Sequence, residues 1–276
     1  MRFSSSNLYP PNIFITHDPG NRLRKMQTCI GIAFTPNDFW ALKKADLSNT
    51  ICVVLDVLRF TSTVVTALAS GATGIIPVSE IAEALELRAQ DPTFLLGGER
   101  KGQRITSSLT GGAEFDLGNS PREYTPQHVQ GKRIVCTTTN GTQAIRACAH
   151  ASTVYIAALL NIKAVVHQLI KDRPTNLVII CSGTENEPAT EDVYTAGILW
   201  EELQQHLRFD HVSDGVQIAY LTAKAIGHEP KSIIPYSKNA QRLLSIEELR
   251  DDVPFCLRRD VFQIVPRLIN NEIKVH

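Results

Sequence analysis

The chain predicts an α/β protein: a three-layer α/β/α unit of two similar halves, each with a βαβαβ order and largely parallel sheet. Three observations predict it. Short continuous apolar, β-branched runs, such as 51–55 and 177–181, have the character of strands covered on both faces. They alternate with helical patterns of about 10 to 15 residues, the signature of parallel sheet with helices on both sides. The same order then recurs in the second half, where Ala67, Ala69 and Thr73 find counterparts in Ala147, Ala149 and Thr153.

Residues 1–26 hold Pro10, Pro11, Pro19 and Gly20 and show neither a strand nor a helix rhythm, so they are read as a flexible leader. The folded unit is set at 27–276, with halves of about 27–130 and 131–276. Its first strand is expected over 28–34. A strand over 51–55 leads through Thr61-Ser62-Thr63 into a helix whose Val64, Val65 and Leu68 share a face. Gly71 to Gly74 close that helix. Strand 75–78 follows, then a helix capped by Ser79 and running to Gln90, then strand 94–96. The second half repeats the order as strand 133–136, helix 142–149, strand 154–158, helix 162–170 and strand 177–181. A helix over 192–207 carries Val193, Ala196, Leu199, Trp200 and Leu203 on one stripe, and another covers 214–225. Segments 245–250 and 261–268 finish a mixed C-terminal region with no assigned type.

Of the 276 residues, 43% are hydrophobic and 20% charged, enough apolar content for a substantial core. Lys plus Arg balance Asp plus Glu at 28 each, so no overall field draws nucleic acid or anionic lipid, and any anion site must be local. No apolar run is long enough for a membrane helix and no signal-peptide core is present; a cytoplasmic protein is expected. The six cysteines form no C-x-x-C pair and are read as reduced thiols. None has an Arg six positions on, which argues against a cysteine phosphatase. The P-loop, the dehalogenase aspartate pair and H-E-x-x-H are missing too, and His206 and His211 read as surface residues.

Polar residues cluster in one kind of place. Asp56 to Thr63 follow the 51–55 strand, Gly97-Gly98-Glu99-Arg100 the 94–96 strand, Thr137 to Thr142 the 133–136 strand and Cys181 to Glu185 the 177–181 strand. Parallel α/β sheets bind ligands outside the carboxyl ends of their strands. Thr61, Ser62 and Thr63, with Thr138, Thr139, Asn140, Gly141 and Thr142, suit a phosphate cradle at helix starts, although helix capping explains a single hydroxyl equally well. Arg59 has the fork to hold phosphate or carboxylate oxygens. Asp56, at the end of a buried strand, needs a cation or strong donors: a salt bridge to Arg59 is the plain reading and a Mg²⁺ ligand the functional one. Glu99, Glu185, Glu191 and Asp192 are further carboxylates at this edge, while Asp116 and Asn119 sit in turn chemistry around Gly-Asn-Ser-Pro.

Taken together, Val54-Leu55-Asp56-Val57-Leu58-Arg59 with Thr61-Ser62-Thr63, Leu96 to Arg100, Phe115-Asp116-Leu117-Gly118-Asn119-Ser120-Pro121, Thr137 to Thr142, Cys181 to Glu185, and Glu191-Asp192 with Ala196-Gly197 resemble the 2-phosphosulfolactate phosphatase family. The resemblance runs from about residue 27 to the C-terminus. It implies an α/β/α fold of two similar halves and a Mg²⁺-dependent hydrolase that converts 2-phosphosulfolactate into 3-sulfolactate and phosphate, an activity serving coenzyme M synthesis in methanogens. The implied catalytic set is Asp56, Arg59, Glu99 and Arg100. Phosphate would meet Thr61, Ser62, Thr63, Asn119 and residues 138–142, and the metal Asp56 with one or more of Glu99, Glu185 and Asp192. Another small phosphorylated acid, or a binding protein without turnover, are the alternatives. The expected partner is a small anionic substrate; the stripe around Trp200 permits a homodimer.

Overall fold

The computed structural model describes residues 27–275, and the leader expected over 1–26 lies outside them. The strands are β1 (Cys29–Ala33), β2 (Thr50–Leu55), β3 (Gly74–Val78), β4 (Leu95–Arg100), β5 (Gln103–Arg104), β6 (Arg133–Thr137), β7 (Thr153–Ala157), β8 (Asn176–Cys181), β9 (His211–Val212), β10 (Arg267–Ile269) and β11 (Glu272–Lys274). The helices are α1 (Phe39–Lys44), α2 (Phe60–Ala69), α3 (Ile81–Gln90), α4 (Ser107–Thr110), α5 (Pro126–Val129), α6 (Gly141–Ala147), α7 (Ile162–Asp172), α8 (Thr190–Leu203), α9 (Asp214–Ile226), α10 (Lys238–Leu244) and α11 (Asp252–Cys256).

The described strands form one mostly parallel sheet in the order β5-β4-β6-β3-β11-β10-β7-β2-β8-β1-β9. Alternate residues of each central strand enter different cores, which is why these segments read as unbroken apolar runs. Val53 and Leu55 join Tyr155, Ile179 and helices α7, α8 and α9 on one face. Cys52 and Val54 join Ile156, Ile180 and helices α1, α2 and α6 on the other. Helices therefore cover both faces, as a three-layer α/β/α fold requires.

The repeated units exchange strands. In the trio β7-β2-β8, the middle strand comes from the first repeat and its neighbours from the second; in β4-β6-β3 the roles are reversed. Leu55 pairs with Ala157 and Cys181, and Thr137 pairs with Val78 and Gly98. One residue further on, Asp56 and Thr138 occupy equivalent places, as do Ser182 and Glu99. The β10–β11 hairpin separates the trios, meeting each at one residue pair, Arg267 with Tyr155 and Ile273 with Ile75.

Several boundaries differ from expectation. The 94–96 strand continues to Arg100, so Glu99 and Arg100 belong to β4 itself. Ser79 does not cap α3: Glu80 holds that position, and the Glu83 carboxylate accepts the Ser79 N–H at 3.2 Å. The helix expected over 192–207 starts at Thr190 and ends at Leu203. Its Trp200 stripe is buried, with Trp200 in the core beneath α9, so it serves the interior of the chain. Segment 245–250 is a turn between α10 and α11, and the residues before β10 run without regular structure. All six cysteines are free, and among the described residues no helix is long and apolar enough to cross a membrane.

Candidate active site

The two trios meet at their carboxyl ends through the turn after β2 and the loop after β6. Three bonds close the first turn: Phe60 N–H to Asp56 Oδ1 (3.2 Å), Asp56 N–H to Thr61 Oγ1 (3.0 Å) and Thr61 N–H to the Asp56 carbonyl (2.9 Å). The Leu58–Arg59 peptide within it is cis. Gly141, the first residue of α6, packs against this turn so closely that a β-carbon there would strike Phe60 and the Asp56 carboxylate. Only glycine allows that approach. Gly98 has the same role inside its trio, where its φ of 149° and the Thr137 carbonyl leave no room for a side chain.

Asp56 keeps some exposed surface while its carboxyl is desolvated. Burial raises its pKa to about 6, the Phe60 N–H and Ser182 hydroxyl oppose the rise, and the charges of Glu99 and Glu191 add to it. Asp192 is buried, and its pKa stands well above the ordinary carboxylate range, first through desolvation and then through Glu191 and Asp56. Its Oδ1 accepts the Val57 N–H at 2.8 Å, tying α8 to the turn after β2. Glu191 is fixed by Ser237 Oγ and Asn239 Nδ2, each at 2.7 Å. Neighbouring negative charge thus adds to desolvation in disfavouring the anions of Asp56 and Asp192.

Glu99 bridges two loops. Its Oε1 accepts the Thr139 N–H (2.8 Å) and hydroxyl (2.9 Å), and its Oε2 accepts the Gly102 N–H (2.6 Å). Arg59 does not supply the cation that one sequence reading gave Asp56. Its side chain is buried, with Nη1 2.6 Å from Asp252 Oδ2 and Nη2 2.6 Å from the Gly102 carbonyl. Arg100 is anchored on the Glu99 carbonyl, the Ser79 carbonyl and Thr137 Oγ1.

Apart from Thr139, whose hydroxyl donates to the Glu99 carboxylate, the hydroxyl clusters serve the protein's own main chain in this structure. Thr61 accepts from Asp56, Ser62 donates to the Val57 carbonyl at 2.8 Å, and Thr63 donates to the Asn119 carbonyl at 3.0 Å. Thr138 Oγ1 accepts the Thr142 N–H (3.2 Å), and the Thr142 hydroxyl donates to the Thr138 carbonyl (3.0 Å). Thr139 is exposed, Asn140 is half-buried at the start of α6, and Gly141 adjoins Asp56. Asn119 is buried, and its Oδ1 has no partner. Glu185 is exposed on a left-handed turn after β8. Asp116 clasps Arg88 and the Leu96 N–H, both at 2.7 Å, so its carboxylate serves long-range contacts and not the local turn expected of it.

Asp252 escaped the sequence reading, while Ser120, its donor, and Ser182, beside Asp56, lay within the quoted motifs but were given no role. Asp252 is fully buried and accepts from Arg59, Ser120 Oγ (2.6 Å) and Arg122 Nε (2.8 Å). Burial holds the nearby thiols protonated, Cys136 and Cys256 at about 12 and Cys181 well above its usual value, which argues against a thiolate nucleophile.

Comparison with known proteins identifies relatives of this chain. The model of the family described as 2-phosphosulpholactate phosphatase matches residues 39–271. A protein of Caldanaerobacter subterraneus subsp. tengcongensis named probable 2-phosphosulfolactate phosphatase is 40% identical over 238 residues, 85% of this chain and 94% of its own. Similarly named proteins of Thermotoga petrophila and Clostridium acetobutylicum are 38% and 32% identical. They cover 79% and 84% of this chain, and 88% and 95% of their own lengths.

Proposed function

The chain belongs to the 2-phosphosulpholactate phosphatase family, a family of phosphoric monoester hydrolases, and on that premise we propose that it is a Mg²⁺-dependent phosphatase cleaving 2-phosphosulfolactate to 3-sulfolactate and phosphate. The observation that carries this reading is the convergence of Asp56, Glu99, Thr139 and Arg59, drawn from both trios, around the Gly141 contact.

The donor set suits a hard cation. Among the described residues no group of three or more His, Cys, Asp or Glu side chains stands ready to hold a metal. Mg²⁺ asks for less, since one or two carboxylates suffice when water and phosphate oxygens complete its shell. Asp56 and Asp192 are the carboxylates that would hold it, because each is disfavoured as an anion by burial and by neighbouring charge. Both oxygens of Glu99 are engaged by loop donors, and Glu185 lies exposed on its turn. When bound, Mg²⁺ offsets the charge of the phosphoryl oxygens and acidifies a coordinated water.

The protein's own groups do the rest. Water attacks phosphorus in line as the ester P–O bond breaks, the water losing a proton and the departing 3-sulfolactate oxygen gaining one from solvent, and the Arg59 charge stabilises the spreading negative charge of the transition state. Glu99 keeps the Thr139 loop against the turn after β2, which presents the Thr138 to Thr142 segment and the start of α2 to the ester. Arg100, partly exposed at the edge of β4, is assigned to the carboxylate or sulfonate. Phosphate release from 2-phosphosulfolactate, measured with Mg²⁺ and again after chelation, tests the reading. Release that stops with EDTA and returns with Mg²⁺ is expected; stoichiometric binding without turnover would leave a metabolite-binding protein instead.

A further inference from the structure

A carboxylate outside the four sheet-edge loops pairs with the arginine of the proposed site. Asp252 opens α11 and is fully buried, yet its two oxygens receive three short bonds: Arg59 Nη1 and Ser120 Oγ at 2.6 Å, and Arg122 Nε at 2.8 Å. The other hand of Arg59 holds the Gly102 carbonyl, and the Gly102 N–H binds Glu99, which in turn holds Thr139. An unbroken polar chain therefore runs from α11 to the exposed Thr139 loop.

Such a chain is a poor way to gain stability. Desolvating a guanidinium and a carboxylate offsets most of their attraction, and apolar residues of similar size commonly serve as well. The arrangement does limit where Arg59 can go. Its nitrogens are held from two sides, while its main chain ends the turn that carries Asp56 and accepts the Thr63 N–H at 2.9 Å.

We propose that Asp252 is the positioning residue for Arg59: through the buried pair it fixes both the guanidinium and the Asp56 turn in the geometry that the transition state requires. This rests on the catalytic role given to Arg59 above. Asp252 acts through Arg59, so the two residues form one functional unit and their losses should not multiply.

The test compares Arg59→Ala, Asp252→Asn, Asp252→Glu and the Arg59→Ala/Asp252→Asn double variant, with 2-phosphosulfolactate as substrate and circular dichroism to establish folding. Asp252→Asn should lower kcat on the order of 10- to 100-fold with KM changed less than about 3-fold, and the double variant should be no slower than Arg59→Ala alone. Asp252→Glu, which keeps the charge on a longer arm, should fall between wild type and Asp252→Asn. If Asp252→Asn does not fold, Asp252→Glu takes its place in the same cycle. Multiplying losses, or wild-type kcat in the Asp252 variant beside an impaired Arg59→Ala, would overturn the positioning role alone. An unimpaired Arg59→Ala enzyme would overturn the role of Arg59 and this proposal with it.

Discussion

Gly141 and Asp56 touch across the seam between the two trios, the first on the loop after β6 and the second on the turn after β2. A β-carbon on Gly141 would enter the space held by the Asp56 carboxylate and the buried Phe60 ring. The contact links the packing of the fold to the position of a carboxylate whose pKa burial raises to about 6.

Gly141→Ala is therefore expected to harm both. Overpacking against Phe60 should cost about 1–3 kcal/mol in denaturant unfolding, and kcat should fall by roughly 10-fold or more as Asp56 is displaced. A variant with unchanged unfolding midpoint and kcat would show that the seam has slack.

The pKa of Asp56 makes a pH-dependent prediction. Its folded value of about 6 exceeds the ordinary 3.8, so between those limits the native state binds more protons than the unfolded one. Metal-free stability from this group is thus present at low pH and lost as pH rises through the window. In EDTA, Asp56→Asn should melt a few degrees above wild type at about pH 7.5 and close to it at about pH 4. The same variant should lose most phosphatase activity at every pH. A melting difference that does not grow with pH would contradict the desolvated carboxylate.

Glu99→Gln tests the loop bridge. Glutamine keeps one acceptor for Thr139 but turns an NH₂ group toward the Gly102 N–H, leaving that buried donor unpaired. A loss of about 1–3 kcal/mol is expected in thermal or denaturant unfolding, with kcat lowered as the Thr139 loop loosens. Wild-type stability would mean that the bridge is not formed in solution.

Direct attack by water and a phospho-Asp56 intermediate differ in the stereochemistry at phosphorus, because one in-line displacement inverts it and two in succession retain it. Turnover of a substrate carrying a chiral, ¹⁸O-labelled thiophosphate in ¹⁷O-water should invert the phosphorus centre. Net retention would establish the covalent route.

Much of the architecture was legible because buried parallel strands are continuous apolar runs: 51–55, 133–136 and 177–181 lie within a residue of the ends of β2, β6 and β8. Helix α1, six residues long, was too short for a periodic signal. Strand exchange could not be read, since periodicity names strands but not their neighbours. Among the site residues, those directly after strands stood out by location, whereas Asp252 did not. It lies 193 residues from its partner Arg59, on a five-residue helix without a clear apolar face, and only the folded chain brings the pair together. The hydroxyl clusters were visible as clusters, but their commitment to main-chain groups depends on turn geometry that composition does not encode.

The reciprocal placement of β2 and β6 has a consequence for how this molecule can be divided. A cut near residue 130 would leave each fragment with the two flanking strands of one trio and the middle strand of the other, the piece that completes each trio residing in the other fragment. Neither fragment could close its own hydrogen-bond ladder, so the two would regain order only by complementation, each completing the other as partners do in a domain-swapped dimer. The two similar halves are thereby made dependent on one another, and the proposed site draws its residues from both.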